Sequence, residues 1–123
     1  MSKENVLFIL TDQWPAWAFS FLGADIATPN IDRLASQGTV FRNAFTSCPL
    51  CTPARGALLT SRWPHQTGVY DNQSVGYSVQ ETIPMSERTW IDEAARLGYH
   101  VGYYGKWHLG ANNPEARGAH GFN

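Results

Sequence analysis

The sequence predicts an α/β domain, a parallel or mixed sheet with helices on its faces. Three observations carry this expectation. The continuous apolar run Asn5-Val6-Leu7-Phe8-Ile9-Leu10 has the pattern of a strand buried on both faces. Segments of helical period then alternate with strand-like segments, as layered α/β domains require. Finally, each of three strand ends carries residues able to do chemistry: Asp12, then Cys51 with Arg55, then Lys106 with His108. In open α/β sheets functional groups gather just beyond the carboxyl ends of strands.

The first strand ends in Thr11-Asp12-Gln13. By position alone Asp12 reads equally well as a helix cap or a turn residue. Pro15 to Gly23 is apolar and aromatic and reads as a short helix or ordered loop. Thr28 to Gly38 is a clearer helix. Thr28 stands at the cap, Pro29 at the first helical position, Ile31, Leu34 and Ala35 share a face, and Gly38 stops it. Thr39 to Phe45 alternates and reads as a second strand.

The stretch Ser47 to Arg62, SCPLCTPARGALLTSR, follows directly. Pro53 suits a first helical position, and residues 54–59 read as a short helix. Cys51 therefore lies just before a helix N-terminus, where unpaired N–H groups favour negative charge. Arg55 adds a fixed cation one turn on. This window admits three readings: a buried free cysteine, a C-x-x-C redox pair of Cys48 and Cys51, or a C-x-P-x-R motif.

Trp63 to Pro84 is irregular and polar, and longer than most loops in compact domains. His65 and Asn72 lie in it, and a solvated loop histidine is the simplest account of His65. Glu87 to Leu97 is a third helix, capped by Gly98. Tyr99 to Tyr104 is a third strand, leading into Gly105-Lys106-Trp107-His108-Leu109-Gly110. Alternate residues of an extended segment face the same way, so Lys106 and His108 are expected to share a site. Ala111 to Asn123 reads as loop with no closing element.

The totals exclude several classes. At 123 residues, 43% hydrophobic and 15% charged, the chain suits one small globular domain. A net charge of -1 offers no basic field for nucleic acid or a membrane surface. No apolar run is long enough to span a bilayer. Val6–Leu10 is too short for a secretory h-region, so a cytoplasmic location is expected. Two cysteines three apart do not form a secreted disulfide framework.

With these elements in place, the chain resembles the N-terminal part of the sulfatases, in the alkaline-phosphatase-like superfamily. The resemblance rests on four segments: Thr11-Asp12-Gln13; Thr28-Pro29-Asn30-Ile31-Asp32-Arg33-Leu34; Cys51-Thr52-Pro53-Ala54-Arg55-Gly56-Ala57-Leu58-Leu59-Thr60-Ser61-Arg62; and Gly102-Tyr103-Tyr104-Gly105-Lys106-Trp107-His108-Leu109-Gly110. It runs from about Asn5 to the last residue.

The resemblance implies that a separate maturation enzyme oxidises Cys51 to formylglycine. One hydroxyl of the hydrated aldehyde attacks a sulfate ester, and the other expels sulfate. Arg55 would hold the diol. Asp12, with Gln13 and the modified Cys51, would ligate a divalent cation, calcium in the usual case, magnesium or manganese as alternatives. Lys106 and His108 would contact sulfate and the bridging oxygen. Asn72 falls where some relatives place a substrate-contacting asparagine. The expected substrate is a small-molecule or saccharide sulfate ester.

Three positions depart from the family pattern. Gln13 replaces a second acidic residue, as in relatives that hydrolyse phosphonate or phosphate esters. Ala54 stands where serine is common, and Ser61 where glycine often follows Thr60. The resemblance implies that the family's later metal ligands are expected beyond residue 123. Residues 1–123 are therefore expected to be the N-terminal part of a catalytic domain, with little or no activity alone. The rival expectations are a phosphonate or phosphodiester hydrolase, a non-catalytic remnant, and a C-x-x-C oxidoreductase.

Overall fold

A computed structural model describes residues 4–72, 80–110 and 114–120. The chain divides into two compact units, Met1–Ala44 and Phe45–Asn123.

In the first unit the expected strand at residues 5–10 does not form. A parallel strand exists only through its neighbours, and none pairs with it among the described residues. Its side chains are exposed, Val6 at 83% and Leu7 at 85%. Two short 3-10 turns follow, Ala16–Ala18 and Ser20–Leu22, within the apolar stretch expected to be a short helix or ordered loop. The helix α1 spans Pro29–Gln37, with Thr28 at its cap, as its proline and polar start predict. Thr28 does not cap a helix N–H with its side chain. Instead its hydroxyl donates to Asp32 Oδ1 at 2.9 Å, and the Ser20 hydroxyl donates to Asp32 Oδ2 at 2.6 Å. The Ser20 bond, with that from Thr28, overcomes the desolvation of Asp32 and holds its carboxyl below the ordinary value. The second expected strand is also absent. Arg42 and Asn43 form a turn in its middle, and Phe41 and Phe45 stay exposed.

In the second unit, helix α2 spans Cys51–Thr60. It starts three residues earlier than expected. Cys51 is its first residue and Pro53 its third, still within the turn whose N–H groups have no helical partner. At the other end Ser61 takes φ 57° and its N–H closes on the Ala57 carbonyl at 2.8 Å. A left-handed residue there is normally glycine, and serine costs on the order of 1 kcal/mol. The expected long irregular loop contains a short helix α3, Pro64–Thr67, that includes His65. Residues 73–79 lie outside the described set.

Helix α4 spans Trp90–Arg96, shorter than the expected Glu87–Leu97. Its start is set by a capping box. Thr89 N–H donates to Asp92 Oδ2 at 2.7 Å, and Asp92 N–H donates to the Thr89 hydroxyl at 3.3 Å. The third expected strand is reduced to β1, Val101–Gly102. It pairs in parallel with β2, Ala119–His120, in the register Val101 to Ala119 and Gly102 to His120. The tail expected to lack a closing element therefore supplies one, preceded by a 3-10 turn at Glu115–Arg117.

The core of this unit gathers Leu59, Val69, Ile83, Ile91, Val101, Leu109 and Ala119. Each fully buried aliphatic side chain stabilises the fold by about 1.5–3 kcal/mol. Gly56 faces this core. A Cβ there would lie 3.3 Å from Ile83 Cδ1, so glycine lets α2 settle directly on Ile83.

Arg117, 3% exposed, holds the same region from behind. Nη1 donates to the Glu87 carbonyl at 2.9 Å and to Asp92 Oδ2 at 3.0 Å. Nη2 donates to the Pro84 carbonyl at 3.0 Å. A buried cation survives only when paired and hydrogen-bonded, and Arg117 is both. Burial works to raise the Asp92 carboxyl. The Thr89 hydroxyl and amide and the Arg117 charge outweigh it, so the carboxyl titrates below its ordinary value. A depressed carboxyl stabilises the fold above the unfolded value, about pH 4, and that contribution is lost as pH falls through the folded value. Asp92→Asn should therefore lower stability at pH 7, with the deficit closing below about pH 4. Urea unfolding across pH 2–8 checks this, and a deficit constant to the lowest pH would contradict it.

Candidate functional site

Cys51 is half-buried at the first position of α2. Leu50, extended at φ -110° and ψ 146°, offers no side-chain cap. The first intrahelical bond runs from Ala54 N–H to the Leu50 carbonyl at 3.0 Å, and Pro53 has no N–H to give. The Thr52 N–H is satisfied from 20 residues downstream, by Asn72 Oδ1 at 3.0 Å. Asn72 thus serves as the missing cap. Its carboxamide polarity follows, since the oxygen is committed to the helix and only the NH2 is left to donate elsewhere. Both cysteines are free thiols, whereas the oxidoreductase reading expects a Cys48–Cys51 disulfide.

Arg55, 9% exposed, turns inward from the same helix. Its Nη1 donates to the Lys106 carbonyl at 2.7 Å, across 51 residues of sequence. The Tyr103 hydroxyl donates to that same carbonyl, also at 2.7 Å. Burial raises the Tyr103 phenol above its ordinary value, with the Arg55 charge opposing. The phenol therefore keeps its proton at neutral pH. Three residues beyond Lys106, Leu109 is fully buried and approaches α2 at Gly56. The loop 105–110 is so pinned to the cysteine helix at two points.

This loop is not extended. Gly105 takes φ 94° and His108 φ 56°. The expected alternation therefore does not relate the two side chains. Lys106 is exposed and His108 half-buried. A left-handed histidine costs on the order of 1 kcal/mol and persists where its surroundings over-determine it, most often at functional sites. Among the described residues, His108 Nδ1, Trp107 Nε1, Thr52 Oγ1 and Arg117 Nε are buried without a hydrogen-bond partner. Such orphans are rare in native structures and call for an explanation.

Asp12 and Gln13 belong to the first unit. Both are exposed, and Gln13 takes φ 55°. Beyond this kink Trp14 donates to the Ala18 carbonyl at 3.3 Å and stacks on Phe19 at 5.7 Å. Among the described residues, no group of three or more histidine, cysteine, aspartate or glutamate side chains is arranged to hold a metal ion. His65 is exposed on α3. A groove of about 370 Å³, lined by residues including Phe45, Ala57, Leu58 and Trp63, contains none of the candidate residues.

The sulfatase family model matches residues 4–123, nearly the whole chain. The chain belongs to the sulfatase family. It matches the N-terminal portion of that family. Its curated relatives include the ulvan-active sulfatase of Formosa agariphila, 39% identical over 94% of this chain and 21% of the relative. N-acetylgalactosamine-6-sulfatase of Homo sapiens is 37% identical over 86% of this chain and 22% of the relative. N-acetylglucosamine-6-O-sulfatase of Bacteroides thetaiotaomicron is 34% identical over 87% of this chain and 18% of the relative. The chain thus spans about a fifth of the length of the curated relatives it matches.

Solved structures agree on the fold. The yidJ protein of Bacteroides fragilis superposes with a TM-score of 0.77 at 34% identity, over 90% of this chain and 25% of that one. BT1596, a 2-O GAG sulfatase, gives 0.71 at 32% identity, over 80% and 21%. The sulfatase chain therefore has the expected alkaline-phosphatase-like α/β fold class, in its N-terminal part. No helix among the described residues is long and apolar enough to cross a membrane.

The sequence did not announce Tyr103 or Arg117, and the cap that Asn72 supplies to Thr52 differs from the substrate contact expected of it. The Thr89-x-x-Asp92 pattern was the one legible signal for the true start of α4. Removing the remote cap should matter locally. Asn72→Ala is expected to lower the stability of the second unit by about 1 kcal/mol. Hydrogen exchange of the amides at the start of α2 checks this, and unchanged exchange there would refute the capping role.

Proposed function

We propose that this sulfatase chain supplies the nucleophile segment and part of the anion site of a sulfuric ester hydrolase of arylsulfatase type. Residues 1–123 are then the N-terminal part of its catalytic domain. One observation carries the reading: Arg55 reaches from the cysteine helix to the Lys106 carbonyl at 2.7 Å. That bond brings Cys51, a buried arginine, a lysine and a strained histidine into one compact unit. The names of the relatives, active on ulvan or on sulfated N-acetylhexosamines, support a saccharide sulfate ester as the substrate class.

In this reading a maturation enzyme converts Cys51 to formylglycine, whose hydrate supplies the attacking hydroxyl and a second hydroxyl that releases sulfate. The chain's own residues do the rest. The N-terminus of α2 and the Arg55 guanidinium stabilise negative charge at position 51. The Asn72 NH2, its oxygen already committed to Thr52, is left to donate to a sulfate oxygen. Lys106 offsets charge on the sulfate, and His108 donates a proton to the bridging oxygen as the ester bond breaks.

Asp12 and Gln13 offer a carboxylate and an amide oxygen, donors that suit a hard divalent cation such as calcium before magnesium or manganese. Such a cation would polarise the sulfate oxygens. Two donors are fewer than the six to eight oxygens calcium takes, so the chain alone is proposed to have little or no activity. Gln13, in place of a second acid, favours a second reading, a phosphonate or phosphodiester hydrolase of the same superfamily.

The test uses the protein isolated from its native source, offered an aryl sulfate and an aryl phosphodiester. Aryl sulfate is expected to turn over faster, and Cys51→Ala to lower kcat/KM by ~10³-fold or more. Lys106→Ala should lower it by ~10²-fold. Turnover that survives Cys51→Ala would overturn the reading, and a phosphodiester preference would replace it with the second.

A further inference from the structure

We propose that Tyr103 is a positioning residue for the Lys106–His108 segment, acting with Arg55 to clamp the Lys106 carbonyl. The inference rests on the sulfatase reading of that segment and concerns a residue that reading does not use. A carbonyl oxygen has two lone pairs. Here both are taken, one by Arg55 Nη1–H and one by the Tyr103 hydroxyl, each at 2.7 Å. Two donors arriving from different elements, α2 and the chain just beyond β1, fix the plane of the peptide between Lys106 and Trp107. A single donor would leave that plane free to rock about one hydrogen bond.

The ring adds a second constraint. Tyr103 meets the Trp107 ring edge-on, at 5.4 Å between centroids and 87° between planes. Trp107 is the residue between the lysine and the histidine, so the phenol holds the carbonyl on one side of it and its ring from another. Leu109, fully buried, closes the segment on the far side. Between these fixed points His108 must take its left-handed φ of 56°. The backbone strain at His108 is thus held by the clamp, and relaxation of the clamp lets the imidazole leave its place.

The hydroxyl and the ring have separable roles. Tyr103→Phe removes only the donor and keeps the edge contact with Trp107. Tyr103→Leu removes both. Lys106 and His108 act on charge that develops in the transition state, so their displacement should lower kcat more than it raises KM.

The test measures aryl sulfate kinetics of the native-source polypeptide and its Tyr103→Phe and Tyr103→Leu variants, with hydrogen exchange of residues 105–109 alongside. The expected result is a kcat lowered ~10-fold in Tyr103→Phe and further in Tyr103→Leu, with KM within ~2-fold of wild type. Exchange at 105–109 should quicken while that of α4 stays unchanged, which also shows that the variants fold. An active wild type with Tyr103→Phe equal to it in kcat and exchange would overturn the clamp and leave the sulfatase reading standing. So would a raised KM at unchanged kcat. A wild type inactive on sulfate esters would sink that reading itself, and the positioning role with it.

Discussion

The second unit depends on the bond from a buried arginine to a backbone carbonyl. Arg55 leaves the second turn of α2 and ends on the Lys106 carbonyl. A guanidinium so little exposed needs acceptors, and a charge-assisted bond to a neutral carbonyl meets the need without neutralising the cation. The guanidinium keeps its positive charge inside the unit that carries Cys51. The same contact ties the cysteine helix to the lysine–histidine loop. Structure and electrostatics are served by one side chain.

Support for α2 comes from the opposite direction. Arg117 gathers the carbonyls of Ile83, Pro84 and Glu87 and the Asp92 carboxylate into one network. That network holds Ile83 against the bare face of Gly56. Removing one partner of such a network strands the others, at a typical cost of 3–5 kcal/mol. The surface pairs Arg62 with Glu87 and Arg88 and Arg96 with Glu93 contribute far less, since solvent screens them. Backbone strain falls on other residues. Of the non-glycine residues at positive φ among those described, Gln13 and His108 are candidate site residues, and Ser61 ends the helix that carries Cys51.

Helices were the legible part of the sequence. The proline at the start of α1, Gly38 after it and the apolar face between are local signals, and local physics realises them. The segments holding Cys51 with Arg55 and Lys106 with His108 match a signature by residue type, and the Arg55 bond to the Lys106 carbonyl brings the two segments together. Strands were poorly legible. Residues 5–10 carry the right pattern, but pairing is a property of neighbours rather than of the segment, and no neighbour is described beside them. The alternation argument for Lys106 and His108 failed because Gly105 and His108 itself turn left-handed. Tyr103 and Arg117 were invisible because their roles depend on carbonyls 3 to 34 residues away, which no periodicity announces.

The central claim is that Cys51 is the precursor of the nucleophile rather than a buried thiol. The most direct measurement is a mass spectrum of the peptide carrying Cys51, cut from the protein isolated from its native source. The account predicts an aldehyde at position 51, present as formylglycine or its hydrate. An unmodified thiol in protein that hydrolyses sulfate esters would contradict it.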